Sequence, residues 1–106
     1  APLTSRQLYL LAKRAFLGLA RTRALSRTGS GDFCLFVSTS PLQESRNISD
    51  WELDSFYPAV VEAAAESVWN SLFLAETIEG RDGHIRLALP IEESMNIIET
   101  WSRRSK

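Results

Sequence analysis

The apolar positions of residues 5–26 recur every three or four residues, a spacing that predicts an α-helix. Thr4 or Ser5 can cap its first turn, and the Gly- and Ser-containing stretch 28–31 ends it. One face of this helix is apolar and is expected to face a core. The residues of that face are Leu8, Leu11, Ala12, Ala15 and Leu19.

Two further patterns predict β-structure. Residues 33–38, with the sequence FCLFVS, form a short run of aromatic and branched residues between turn signals, which is typical of a buried strand. Strict alternation of apolar and other residues over 84–89, after a turn flanked by Gly80 and Gly83, predicts a hairpin of residues 73–79 with 84–89. The sequence therefore predicts a three-stranded sheet.

Capping signals and prolines predict the remaining helices. Ser49 and Glu52 have the S-x-x-E spacing of a capping box, which begins a helix. Pro58 is tolerated only in a first turn, so we expect a short helix to about Phe56, then a break or bend, and then a longer helix to about Ser71. Pro90 begins a final helix with acids early and bases late, which complement its dipole. The expected core face of the long helix is Val61, Ala64, Ala65, Val68, Leu72 and Ala75.

These elements predict an α+β fold, a single domain over residues 1–106 with a basic N-terminal helix at about 5–26. A three-stranded sheet with a C-terminal hairpin carries two or three further helices packed on it. A length of 106 residues with 44% apolar residues suits one core. We expect a soluble, cytoplasmic chain, because no apolar run is long enough to span a bilayer. The alternative is an organelle matrix, because the Arg-rich, acid-free first helix resembles targeting peptides.

The net charge of −1 conceals a partition of charge along the chain. Residues 1–31 carry six cations and no acid, residues 32–101 carry all 13 acids against three arginines, and the last five residues add three cations. Such a partition has two ordinary explanations. The basic segment binds an anionic partner, or it packs on the acidic body of its own chain.

Candidate chemical groups are sparse. Cys34 lies within the predicted strand, where a thiol usually acts as a small hydrophobe, and His84 has no second zinc ligand or nucleophile at a suitable spacing. Glu62 and Glu66 are expected to be solvated acids. The GSGDF sequence at 29–33 leads into a strand rather than a helix, which disfavours phosphate binding. We therefore expect no metal or cofactor and lean against an enzyme, although a site completed by a partner stays open.

The first helix predicts the function, because Leu10 and Leu17 form a second apolar surface among its cations. The predicted function is a non-catalytic protein–protein interaction module, self-associating or a subunit of a larger complex. The alternative is an RNA-binding domain that contacts phosphates through the same helix. Arginines five and three residues before Ser26 make it a candidate phosphorylation site. The expected partner-binding residues are Arg6, Leu10, Lys13, Arg14, Leu17 and Arg21.

Overall fold

The computed structural model describes residues 1–25, 27–40 and 48–104. The chain divides into two compact units, Ala1–Val68 (unit 1) and Trp69–Lys106 (unit 2), and the one-domain organisation stays a prediction. Over the described residues the helices and strands, in chain order, are α1 (Ser5–Arg21), α2 (Asp50–Leu53), α3 (Phe56–Phe73), β1 (Ile78–Glu79), β2 (Ile85–Arg86) and α4 (Ile91–Arg104).

The start of α1 is fixed by a reciprocal cap at Thr4, one of the two predicted positions. Thr4 Oγ1 accepts a hydrogen bond from the backbone N–H of Gln7 (3.2 Å), and Gln7 Oε1 accepts one from the backbone N–H of Thr4 (3.0 Å). The buried amide of Gln7 also donates from Nε2 to the carbonyl oxygen of Ile48 at 2.6 Å. One side chain therefore caps α1 and holds the segment that leads into α2.

The predicted end of the first helix, at about residue 26, is wrong, because α1 ends at Arg21. Thr22 Oγ1 donates to the carbonyl oxygen of Leu19 at 2.7 Å, which satisfies one of the terminal carbonyls. Arg23 then adopts a φ of 63°, a left-handed conformation through which an α-helix cannot continue. Ser26, the predicted end and the candidate phosphorylation site, lies outside the described residues.

The core of unit 1 lies where α1 packs on α3. Gly18 of α1 is buried against α3, so that a Cβ atom placed on it would lie 2.5 Å from the carbonyl oxygen of Val61 and 2.6 Å from Cβ of Ala64. No larger residue fits at that separation, so glycine sets how closely the two helices approach. Among the described residues, the buried apolar side chains are Leu11, Leu53 and Ala65.

The helix pair α2 and α3 forms as the capping box and the proline predict, but α2 ends at Leu53, before the predicted end at about Phe56, which belongs to α3. Ser49 Oγ accepts from the backbone N–H of Glu52 (3.2 Å), and the Glu52 carboxylate accepts from the backbone N–H of Ser49 (2.9 Å). Pro58 falls in the first turn of α3, where its missing N–H removes no helical hydrogen bond. On the predicted core face, Ala65 is buried and Val61, Ala64 and Val68 are half-buried, but Leu72 and Ala75 are exposed.

The predicted three-stranded sheet is wrong, although α+β holds in the broad sense. The sheet formed by the described residues has two strands, β1 and β2, which pair antiparallel with Ile78 opposite Arg86 and Glu79 opposite Ile85. The hairpin is shorter than the predicted 73–79 with 84–89, because only Ile78–Glu79 and Ile85–Arg86 pair. Residues 33–38, the third predicted strand, form no strand and join no sheet of the described chain.

Unit 2 ends in α4, which starts directly after Pro90 as predicted. The backbone N–H of Ser94 donates to the carbonyl oxygen of Pro90 at 3.0 Å, and Arg103 lies 3.8 Å from the Glu99 carboxylate one turn earlier. The expected packing of this helix on a sheet is not observed, because its large apolar side chains are exposed. These are Ile91, Met95, Ile97, Ile98 and Trp101. Within the described part of the chain, no helix is long and apolar enough to cross a membrane.

The contact at Gly18 predicts a glycine-specific effect on stability. Gly18→Ala forces Cβ into backbone and side-chain atoms of α3 and should lower the free energy of unfolding by about 1–3 kcal/mol or more, measured by urea denaturation. Gly31→Ala is the matched control, because a Cβ there meets no atom within 4 Å and its φ is not left-handed. Equal stability of the Gly18→Ala and wild-type proteins would contradict the close approach of α1 and α3.

Candidate functional site

A groove on unit 1 runs between α1, α3 and the segment that follows Gly31. Its apolar part has a volume of about 470 Å³, and its wall is built mainly from small side chains of α3 together with Cys34 and Phe36. The neighbouring part, which we call the polar end, has a volume of about 380 Å³. The residues that line the polar end are Ala15, Phe16, Leu19, Gly31, Asp32, Phe33, Cys34, Ala64 and Ser67.

The carboxylate at the polar end belongs to Asp32, which follows the turn after α1. Gly29 has a φ of 85°, and the backbone N–H of Ser30 donates to the carbonyl oxygen of Arg27 at 2.9 Å, so the chain reverses and enters the groove at Gly31. Asp32 follows and is the one carboxylate among the described residues that line the groove. Ser67 Oγ is engaged with its own helix, donating to the carbonyl oxygen of Ala64 at 2.8 Å.

The predicted burial of Cys34 in a strand is wrong. The thiol is free and exposed, and it lines both parts of the groove. Among the described residues, no group of three or more His, Cys, Asp and Glu side chains is arranged to hold a metal ion.

The basic helix contacts the acidic body of its own chain, which is the second of the two explanations for the charge partition. The Arg6 guanidinium donates to both carboxylate oxygens of Asp50, at 2.9 and 3.0 Å, near the start of α1. Near the end of α1, Arg21 forms an ion pair with Glu62 of α3. The two pairs join α1 to α2 and to α3 at opposite ends.

The other two cations of the predicted partner surface also contact neighbouring groups of this chain. The Arg14 guanidinium stacks over the Tyr57 ring at 4.0 Å from its centroid and donates to the carbonyl oxygen of Leu10 at 3.1 Å. Lys13 lies over the Tyr9 ring, 5.4 Å from its centroid. All four predicted phosphate- or partner-binding cations are therefore in contact with groups of unit 1.

The two leucines predicted on the second surface have different surroundings. Leu10 is half-buried, whereas Leu17 is 57% exposed. The structure thus brings the predicted site residues onto one helix, but it does not bring them to the groove. The assignment of Arg6, Leu10, Lys13, Arg14, Leu17 and Arg21 to partner binding stays a prediction.

The sequence relates this chain to peptidases. Residues 1–86 match peptidase family S58. The chain is 29% identical over 112 residues to the beta-peptidyl aminopeptidase BapA of Sphingosinicella microcystinivorans, and this alignment covers 97% of the chain. It is 30% identical over 109 residues to BapA of Sphingosinicella xenopeptidilytica, which covers 93%.

A solved structure has a similar fold. The crystal structure of the PH0078 protein from Pyrococcus horikoshii OT3 superposes with a TM-score of 0.79 and is 38% identical over 95% of this chain. The chain spans 31% of that structure and 28% and 27% of the two BapA sequences. It therefore corresponds to less than a third of each of these relatives.

The family match overturns the predicted function. A non-catalytic interaction module, whether self-associating or a complex subunit, is wrong, because the matched family is one of peptidases. For the same reason, we do not propose the alternative function, an RNA-binding domain. The groove has no local sequence signal, because the GSGDF sequence at 29–33 supplies only one side of it. The turn there delivers Asp32 to a site whose other wall is more than 30 residues away in α3.

The Arg6–Asp50 pair predicts a pH dependence of stability. The hydrogen bond from Arg6 holds the pKa of Asp50 below its ordinary value. A lowered folded-state pKa stabilises the fold above the unfolded value of about 3.9, and this contribution is lost as the pH falls through the folded-state pKa. Asp50→Asn should therefore lower the thermal unfolding midpoint at pH 7.

The difference between Asp50→Asn and wild type should shrink as the pH falls below about 3.9. Asp54→Asn, at the other end of α2, is the matched control and should leave the midpoint unchanged across the same titration. A constant difference between Asp50→Asn and wild type from neutral to acid pH would contradict the ion pair as its cause.

Proposed function

Because this chain belongs to peptidase family S58, we propose that the protein is an aminopeptidase that removes the amino-terminal residue of β-peptides. The family match carries the proposal, since it runs through α1, the groove and the β1–β2 hairpin. Two relatives aligned over nearly the whole chain are named beta-peptidyl aminopeptidases, which supports the substrate class. The chain spans less than a third of those relatives, so the proposal concerns the protein to which it contributes.

The polar end of the groove is the part of unit 1 best suited to such a reaction. Cleft walls made of small apolar side chains with a few polar groups are typical of small-ligand sites. Asp32 supplies a carboxylate there, on a turn held by Gly29 and Ser30 rather than on a mobile tail. The close contact at Gly18 holds α1 and α3, which form the two helical walls.

The proposed role of Asp32 is electrostatic. An ionised carboxylate only accepts hydrogen bonds, and those from charged or strongly polarised donors are the strongest. Among the described residues that line the groove, Asp32 is the one carboxylate, and no histidine is present to act as a base. Asp32 would therefore accept hydrogen bonds from the N–H or O–H groups of the substrate or of the reacting group, and hold them at the polar end.

The substrate class is tested with three chromogenic amides that share one leaving group. The full-length protein should hydrolyse the β-alanyl amide faster than the L-alanyl amide, compared as kcat/KM. It should leave the N-acetyl-β-alanyl amide intact, because an aminopeptidase requires a free amino terminus. Hydrolysis of the acetylated amide at a comparable rate, or of none of the three, would contradict the proposal.

The role of Asp32 is tested by removing its charge at nearly constant size. Asp32→Asn should lower kcat/KM for the β-alanyl amide by about 100-fold or more, a loss typical of removing one electrostatic contact from an active site. Its thermal unfolding midpoint should match that of wild type. Glu66→Gln, an exposed carboxylate on the same unit but outside the groove, is the control and should keep full activity. Full activity of Asp32→Asn would exclude this role.

A further inference from the structure

We propose that α4 packs antiparallel against α4 of a second copy of the protein, through one face of the helix. The contact uses α4 and not the cations of α1, and it adds an assembly surface to the proposed enzyme. It lies beyond residues 1–86, which match the peptidase family, so it does not depend on that assignment. The residues of this face, which we call the pairing face, line a depression of about 320 Å³ on α4. They are Glu93, Asn96, Ile97, Thr100, Trp101 and Arg104.

The pairing face has the residue spacing of a helix–helix contact. Glu93, Ile97, Thr100 and Arg104 follow one another at intervals of four, three and four residues, which is the spacing of the contact positions in a coiled coil. Ile97 is 63% exposed and Trp101 is 72% exposed, more than the other large apolar side chains of α4. An exposed apolar centre with a polar rim marks a contact surface, so this face suits a second helix.

The two ends of the pairing face carry opposite charges. Glu93 lies in the first turn of α4 and Arg104 in its last turn, where each charge also complements the helix dipole. Among the described residues, neither Glu93 nor Arg104 forms an ion pair, whereas Arg103 lies 3.8 Å from the Glu99 carboxylate. The acid and the base at the two ends of the face are therefore available to a partner helix.

The order of the residues makes the pairing face complementary to itself. Its six residues are spaced symmetrically about a point between Ile98 and Glu99, so a two-fold axis at that point sets the face against its own copy. The helices then run antiparallel, with an acid opposite a base at each end. A parallel pair would instead set like charges against each other, which is unfavourable. The facing pairs are Glu93 with Arg104, Asn96 with Trp101 and Ile97 with Thr100, each joining one copy to the other.

The length of α4 limits the strength of the contact. A helix of 14 residues is about 21 Å long at 1.5 Å per residue. Stable protein–protein interfaces bury about 1,200–2,000 Å² in total, and contacts below that size are weak or transient. We therefore expect a dissociation constant of about 1 μM or weaker for this contact.

Hydrogen–deuterium exchange of the full-length protein tests the pairing without any substitution. Backbone amides of α4 should exchange more slowly as the protein concentration rises from about 0.1 to about 100 μM, because pairing opposes local opening of the helix. Amides of α1, which lies outside the contact, should exchange at the same rate throughout. Exchange of the α4 amides that does not depend on concentration would overturn the proposal.

Charge reversal tests the partner and the direction of the pairing. Glu93→Arg sets two cations against each other at each end of the contact, and Arg104→Glu sets two acids against each other. Each variant alone should associate about 10-fold or more weakly than wild type, measured by sedimentation velocity of the full-length protein. An equimolar mixture of the two variants should regain the association of wild type, because every facing pair then again joins an acid and a base.

The matched controls are Glu92→Arg and Arg103→Glu, which make the same charge changes at the same ends of α4 but outside the pairing face. Both should associate as wild type does. Unchanged association of Glu93→Arg and Arg104→Glu would overturn the proposal. Weakening that the mixture does not restore would overturn a second copy as the occupant, and would indicate another segment or another protein. If either variant unfolds, the exchange experiment on the wild-type protein decides.

Discussion

The approach of α1 to α3 at Gly18 is the constraint on which the rest of unit 1 depends. With no side chain at that position, the backbone of α1 comes within van der Waals contact of Val61 and Ala64. The two helices then line a groove whose wall is built mainly from small side chains of α3. A wider separation of α1 and α3 would remove the surface that the segment after Gly31 contacts. The absence of a Cβ at Gly18 therefore sets the separation of the two helical walls, and the turn at Gly29 places Asp32 at the polar end.

The cationic side chains of α1 contact residues of α2 and α3 within unit 1. Arg6 with Asp50 and Arg21 with Glu62 hold the helix near its two ends, and Arg14 lies on the Tyr57 ring between them. Exposed ion pairs of this kind contribute little individually, so their effect is to orient the helix rather than to drive folding. The same cations, taken from the sequence alone, indicate a partner surface. Contacts between residues more than 40 positions apart along the chain show that these cations also pack on the acidic body, while their role in partner binding stays a prediction.

Local features of the fold were predictable from the sequence, and features that depend on distant contacts were not. The caps at Thr4 and Ser49 and the helix starts near Pro58 and Pro90 form because each depends on a few neighbouring residues. The strand at 33–38 was predicted from composition, but a strand needs a partner, and none of the described residues provides one. The groove escaped prediction for a related reason, since Gly18 and Asp32 acquire their roles only when α3 lies beside them.

The proposed activity, removal of an amino-terminal β-amino acid by the protein to which this chain contributes, is tested most directly by identification of the products. The full-length protein would be incubated with a tripeptide that begins with β-alanine and continues with two different L-amino acids, and the products would be identified by mass spectrometry over time. Free β-alanine and the intact remaining dipeptide should accumulate in equal amounts. Cleavage at the second peptide bond first, or an unchanged tripeptide in the presence of correctly folded protein, would contradict the claim.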